Sequence, residues 1–274
     1  MVITWTTNVA SLNARRNLYE INTHLAKSMQ RLASGQRINS AADDPAGLAI
    51  SERLRAQIRS LTRAQLNAND AISMTQVAEG ALNTISAMVI RMRELAIQAD
   101  NGCLSGPDRD SLQEEFHALA EEINRIALAT TFNGTSLLSG NHQVTFQVGA
   151  GTTQDVDTIT LTLEDMGDGT LGLMGLDIGS GGDVTYAIQH IDAAADIVTG
   201  YRGKLGAFQN RLQHTIHNLG AAIENLSAAE SRIRDVDVAL EVANLTKYTI
   251  MQQVAVAVLK QANLQPQRLL ALLQ

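Results

Sequence analysis

The chain of 274 residues is short of the residue types that centre compact cores or staple small ones. It has a single cysteine, Cys103, which excludes an intrachain disulfide framework. Beside Gly102 in a turn, that cysteine reads as a small filler residue. Three prolines are present, and aromatic residues make up 3% of a chain that is 45% apolar. Aliphatic residues with few aromatics and few prolines suit long helices better than a compact aromatic-centred core. The common signatures of chemistry are missing too: there is no His-Glu-x-x-His, no paired cysteines and no P-loop. His214 and His217 lie one helical turn apart, but without a third ligand nearby they read as an exposed or half-buried pair. Asp165-Met-Gly-Asp168-Gly169 lacks the spacing and terminal glutamate of a calcium loop and reads as a turn. No catalytic, metal or cofactor set is expected. The first eight residues have no basic stretch and no apolar stretch of a cleaved secretory signal. That points to the cytoplasm or to an export route that does not use such signals.

Charge is scarce at one place and lopsided at another. The net charge is −7. Residues 1–37 carry five Lys/Arg against one Glu, and residues 236–274 carry three basic against two acidic residues. The middle, 38–235, carries 13 basic against 25 acidic residues. The two ends resemble each other and differ from the middle, so they are expected to form one unit and the middle another. The acidic middle argues against nucleic acid as a partner.

Between Val242 and Gln267 only Lys247 and Lys260 are charged. Two apolar ladders run through this region, one through Val236, Leu240, Ala243, Ile250, Val254 and Ala257, the other through Val238, Val242, Leu245, Val256 and Leu259. A helix that is apolar nearly all round must be enclosed on most sides. Its unbroken apolar run is far below the ~20 residues a bilayer needs, so it is not a membrane span. Two readings remain: a central core helix of an ordinary globular domain, or a helix enclosed by other copies of the same chain.

The rest of the chain reads as follows. Residues 5–34 form a helix with a stripe of Val9, Leu12, Leu18, Ile21, Leu25 and Leu32, stopped at Gly35. Asp44-Pro45 starts a second helix that runs to about Ala99, with a phase slip in its apolar ladder near Gly80. Fifty-five helical residues span ~80 Å, which indicates coiled-coil-like packing. A third helix over about 107–129 should lie antiparallel on the second, since the connector is short. Residues 140–183 change character: ten of the 44 are glycine, and two alternating runs, Val144-Phe146-Val148 and Ile159-Leu161-Leu163, predict a hairpin. Helix resumes near Asp183 in a heptad-like register, interrupted at Arg202, and Arg232 to Asp237 is a charged connector into the last helix.

Ordered motifs at both ends carry a resemblance. Ser11-Leu-Asn13, Arg31-Leu-Ala-Ser-Gly35, Arg37-Ile-Asn-Ser-Ala-Ala-Asp-Asp44-Pro-Ala-Gly47, Asn67-Ala-Asn-Asp-Ala-Ile-Ser73 and Arg91-Met-Arg-Glu-Leu-Ala96 resemble the N-terminal region of bacterial flagellin. Gly206-Ala-Phe-Gln-Asn-Arg211, Asn225-Leu-Ser-Ala-Ala-Glu-Ser-Arg-Ile-Arg-Asp235 and Gln261-Ala-Asn263 resemble its C-terminal region. The likeness covers roughly 1–138 and 184–274. It implies a mainly α fold: a long antiparallel helical coiled-coil bundle with a small β-hairpin region and paired termini. Residues 1–44 and 236–274 would form the inner-tube layer, D0, and 45–235 the D1 rod, with the hairpin at about 140–183.

The resemblance further implies a non-enzymatic subunit of the flagellar filament, the hook–filament junction protein being the alternative. The subunit would be secreted without a cleaved signal and would build an extracellular helical homopolymer for motility. Expected partners are further copies of the chain, a filament cap protein, hook–filament junction proteins and a flagellar export chaperone; neither nucleic acid nor membrane is expected. The expected intersubunit core is Leu18, Ile21, Leu25, Leu32, Leu240, Ile250, Val254, Val258 and Leu259. The family's contacts with the innate immune receptor Toll-like receptor 5 map onto Arg91, Leu95 and Glu115. Read from the residues alone, Leu95 is equally a packing residue, and Arg91 and Glu115 equally a solvated face.

Overall fold

The computed structural model describes residues 7–272, with side chains as far as Leu264 except that of Asp168. The expected helix start at residue 5, and Trp5 itself, lie outside the described residues. The chain divides into two compact units, one of residues up to Ala56 together with those from Asn225 onward, the other Gln57–Glu224.

The second unit is a helical bundle built on a seven-residue register. Helix α2 (Pro45–Ala99) buries Leu61, Ala68, Thr75, Leu82, Val89 and Ala96 at one position of the repeat. It buries Ala64, Ala71, Ala78, Ile85, Met92 and Ala99 at the other. This three-four alternation is the coiled-coil pattern, and it passes Gly80 without the expected phase slip. The apolar ladder only looks broken because Thr75 occupies a core position. Its hydroxyl donates to the Ala71 carbonyl at 2.7 Å, which removes the need for any other partner. Helix α3 (Gly106–Ala129) starts at Ser105, whose backbone N–H and hydroxyl both donate to the Asp108 carboxylate, at 3.0 and 2.6 Å. Those bonds hold the Asp108 carboxyl below its ordinary range.

Helix α5 (Val184–Arg234) repeats the device. Val184, Ile191, Val198, Leu205, Leu212 and Leu219 are buried seven apart, with Ala187, Ala194, Tyr201 and Phe208 beside them. Arg202 is half-buried next to this seam and does not interrupt it. The Glu79–Gln209 hydrogen bond at 3.0 Å and the Arg93–Asp192 ion pair at 2.6 Å set α2 and α5 antiparallel.

Two hairpins complete this unit. β1 (Thr131–Phe132) pairs with β2 (Thr135–Ser136) across Asn133 and Gly134, whose φ angles of 48° and 81° are those a two-residue hairpin turn requires. β3 (His142–Gln147) pairs with β4 (Thr158–Leu163), from His142 opposite Leu163 to Gln147 opposite Thr158. Ile159, Leu161 and Leu163 turn into the core, while Thr145 and Thr160 meet on the open face. After it comes a short helix, α4 (Asp168–Leu171), where the sequence suggests a turn. Burial pushes the Tyr201 phenol up, and its oxygen accepts the Glu164 backbone N–H at 3.4 Å.

Candidate assembly surface on the terminal helix pair

Among its described residues, the first unit has few buried apolar side chains. Its two long elements are α1 (Val9–Ser34) and α6 (Val238–Leu272). The side chain of Asn8 receives the Ser11 N–H at 3.0 Å and so caps α1, and Gly35 ends the helix at φ 69°, a left-handed conformation that favours glycine. The Asp237 carboxylate receives the Leu240 N–H at 3.1 Å at the start of α6. The charged connector is therefore only Asp235–Asp237, since α5 extends to Arg234.

A set of polar rungs fixes α1 and α6 as an antiparallel pair. Asn8 donates to the Ala262 carbonyl at 2.9 Å and Ser11 to the Asn263 side chain at 2.8 Å. Further along, Gln252 donates to Asn22 at 2.8 Å, and His24 stacks on Tyr248 with ring centroids 5.2 Å apart. Arg31 reaches buried Glu241 at 3.8 Å. At the closed end the backbone joins in: Arg37 N–H donates to the Arg234 carbonyl at 2.7 Å and Val236 N–H to that of Gly35 at 3.0 Å. The Asp43 carboxylate stands beside the Lys27 ammonium at 2.6 Å. That contact, helped by the N–H groups of Asn39 and Ser40 and opposed by partial burial, holds its carboxyl well below the usual range.

These contacts are polar, and the apolar side chains point away from them. Among the described residues of this unit, the buried apolar ones are Ala14, Leu25, Ile38 and Ala262. Of the expected intersubunit core, Leu25 is buried within the pair, and Leu18, Ile21, Leu32 and Leu259 are half-buried. Leu240, Ile250, Val254 and Val258 face outward, with Leu240 62% and Val254 56% exposed. Ile21, Ile250, Val254 and Val258 line one open groove of about 260 Å³ along the pair. Val238, Val242, Val256 and Met251 are also exposed on α6, and the sequence ladders do not separate them from the rest. Buried Glu241 escaped the sequence reading altogether, because an isolated glutamate in a mostly apolar helix carries no sign of what it meets.

Uncovered apolar side chains grouped along one helix pair mark a surface of the kind that protein–protein contacts cover. What the arrangement can do is bury surface. His214 and His217 are both exposed on α5, and among the described residues no group of three His, Cys, Asp or Glu could hold a metal ion. No helix of the described residues is long and apolar enough to cross a membrane. Cys103 is exposed rather than filling space, in a turn where the Asn101 side chain accepts its N–H at 3.1 Å.

The three residues mapped to receptor recognition lie in the second unit and do not all share a surface. Arg91 donates to Glu115 through Nε and Nη2 at 3.0 and 2.9 Å and through Nη1 to Glu94 at 3.1 Å. Glu115 first, then Glu94, raises the Arg91 guanidinium above its ordinary value. Both ends of this exposed pair are open to solvent. Leu95 is instead 0% exposed, within the bundle core. It sits beside the seam residues Met92 and Ala96, one turn after Arg91, and is covered by the bundle core.

Comparison with known proteins gives a consistent picture. Residues 6–143 match the bacterial flagellin N-terminal helical region, and residues 188–273 the bacterial flagellin C-terminal helical region. The flagellin of Bacillus subtilis (strain 168) is 43% identical over 302 residues, covering 97% of this chain and 98% of that one. The flagellin of Halalkalibacterium halodurans is 46% identical over 268 residues, with the same coverage. The flagellar filament 33 kDa core protein of Treponema phagedenis is 40% identical over 285 residues, again covering 97% and 98%.

Proposed function

This chain belongs to the bacterial flagellin family, and we propose that it is a structural, non-catalytic subunit that polymerises into a flagellar filament through the outward apolar faces of α1 and α6. The observation that carries this reading is the terminal pair itself: its polar rungs set the helices together while Leu240, Ile250, Val254 and Val258 stay uncovered. Other copies of the chain enclose those side chains, and each copy adds the same contacts, so a small free energy per subunit becomes a long polymer. Residues 1–44 and 236–274 form the inner layer of the filament and 45–235 the surrounding one. The division into two compact units supports a two-layer reading, with its boundaries at 56 and 225.

Family membership extends the proposal. The subunit leaves the cell without a cleaved signal, its C-terminal segment is held by an export chaperone, a cap protein folds it at the growing tip, and junction proteins join the filament to the hook. The Arg91–Glu115 surface of the second unit docks Toll-like receptor 5, with Leu95 holding that surface from beneath. The test of the central claim is electron microscopy and sedimentation of the purified protein under polymerising conditions. Long helical filaments that pellet are expected; a chain that stays monomeric at high concentration, with seeds present, would overturn the proposal.

A further inference from the structure

Two exposed methionines lie on the terminal pair, at the surface the filament reading uses. In the second unit Met74, Met92 and Met166 are buried, which shields their thioethers, Met88 is half-buried and Met174 is as exposed as Met251. On the terminal pair, Met251 is 41% and Met29 53% exposed. Met251 lines the apolar groove with Ala14, Ile21, Ile250, Val254 and Val258. It also borders a second hollow beside it, where Asn17, Glu20, His24, Lys247 and Tyr248 supply polar and charged groups.

We infer that Met251 is an oxidation site that decides whether the free chain can polymerise, an inference that rests on the filament reading above. The chemistry needs a two-electron oxidant such as hydrogen peroxide. A sulfur lone pair attacks one peroxide oxygen, the O–O bond breaks, the S–O bond forms, and the other oxygen leaves as water. Sulfur is oxidised and peroxide reduced by two electrons. The product is a polar sulfoxide that accepts hydrogen bonds and donates none. In the free chain it is tolerated, because the side chain is solvated. Methionine has three rotatable bonds, so the sulfoxide swings toward the Lys247 side and leaves the apolar groove unfilled. An assembled neighbour that buries the groove then meets either a void or a polar oxygen where the apolar thioether stood, with Asn17 the one side-chain donor lining the groove. Once assembly has covered Met251, the same oxidant no longer reaches it. The free subunit is therefore sensitive where the polymer is protected, and reductases acting on both sulfoxide epimers restore it.

The experiment treats the purified full chain with hydrogen peroxide, maps the oxidised methionines by mass spectrometry, and reads seeded polymerisation by sedimentation. Oxidation is expected to raise the critical concentration of the wild type at least tenfold, which is about 1.4 kcal/mol per subunit. Met174→Leu, which removes the exposed methionine of the second unit, should respond like wild type, and Met251→Leu should resist. Met251→Gln, a polar replacement of similar size, should raise the critical concentration without peroxide. Filaments treated after assembly should keep Met251 reduced. An oxidised wild type that assembles normally would overturn the inference, as would a Met251→Gln chain that does so. Equal sensitivity in Met251→Leu would also overturn it, by moving the effect to Met29. If the untreated wild type fails to assemble, the filament reading falls and takes this inference with it.

Discussion

Replacing Val254 by aspartate separates assembly from folding. Full burial of a valine is worth about 1.5–3 kcal/mol. Val254 is 56% exposed in the single chain, so roughly 0.8–1.7 kcal/mol of that remains to be gained when a neighbour covers it. An aspartate there is solvated in the monomer and enclosed in the polymer. Burying it charged costs several kcal/mol; the cheaper route at pH 7 is protonation from an ordinary carboxyl pKa near 3.9, which costs about 4 kcal/mol. The two losses together reach about 5–6 kcal/mol per subunit. Each 1.4 kcal/mol is tenfold, so the critical concentration should rise by roughly four orders of magnitude. The sign of the pH dependence follows. The polymer binds a proton that the monomer releases, so lowering the pH favours assembly of the variant, about tenfold in critical concentration per pH unit down to about pH 4. Sedimentation of seeded reactions between pH 7 and 4, beside thermal melting of the monomer, reads both effects. Melting should barely change, because the second unit is untouched. Normal filaments at pH 7, or a monomer that no longer folds, would show that Val254 is not a buried intersubunit contact.

Three further outcomes are expected. In hydrogen exchange, amides of residues 9–34 and 238–264 should exchange fast in the monomer and slowly in the filament, while 61–99 and 184–219 stay protected in both, because helices without an apolar interior gain little stability alone; strong protection of 240–260 in dilute monomer would refute this. Arg91→Ala should weaken Toll-like receptor 5 activation in a reporter assay with helical content unchanged, whereas Leu95→Ala should act through stability, lowering the melting temperature by a loss of about 2–5 kcal/mol; a wild type inert in the reporter would end the receptor proposal. Asp43 has a depressed carboxyl, so the Lys27–Asp43 contact adds stability that is present above about pH 4 and fades as pH falls further. Asp43→Asn should remove that acid-range dependence from circular dichroism of the first unit, and an unchanged acid profile would discount the contact.

Long, strongly periodic elements were legible in the sequence to within a residue or two. The bounds Pro45–Ala99 follow from Asp44-Pro45 at one end and Asn101-Gly102 at the other. The hairpin β3–β4 follows from two alternating runs, and its buried face is the one that Ile159, Leu161 and Leu163 predict. The register of α2 was not legible, because a count of apolar residues passes over a threonine whose hydroxyl is satisfied by its own helix. Leu95 shows the converse: a motif locates the residue, but it lies beside the two seam positions, and only the packing of the bundle shows that it is buried. For the assembly surface, the near-absence of charge between Val242 and Gln267 marks the helix. Which faces of that helix are turned out depends on where α1 lies, and that is fixed by Asn8, Asn22 and His24, more than two hundred residues away in sequence.

That distance has a consequence for the order in which the chain can fold. Asn8 and Ala262 are 254 positions apart. Closing so long a loop costs about 5 kcal/mol in chain entropy, roughly 2.5 kcal/mol more than bringing together Thr145 and Thr160, which are 15 apart. The helix pair therefore cannot seed folding. It forms after residues 57–224 have become a unit and shortened the effective loop, and it cannot form until both ends of the chain have arrived, whichever leads. The apolar strip therefore comes into being last, once both ends of the chain are available, which keeps a sticky surface hidden while the chain folds.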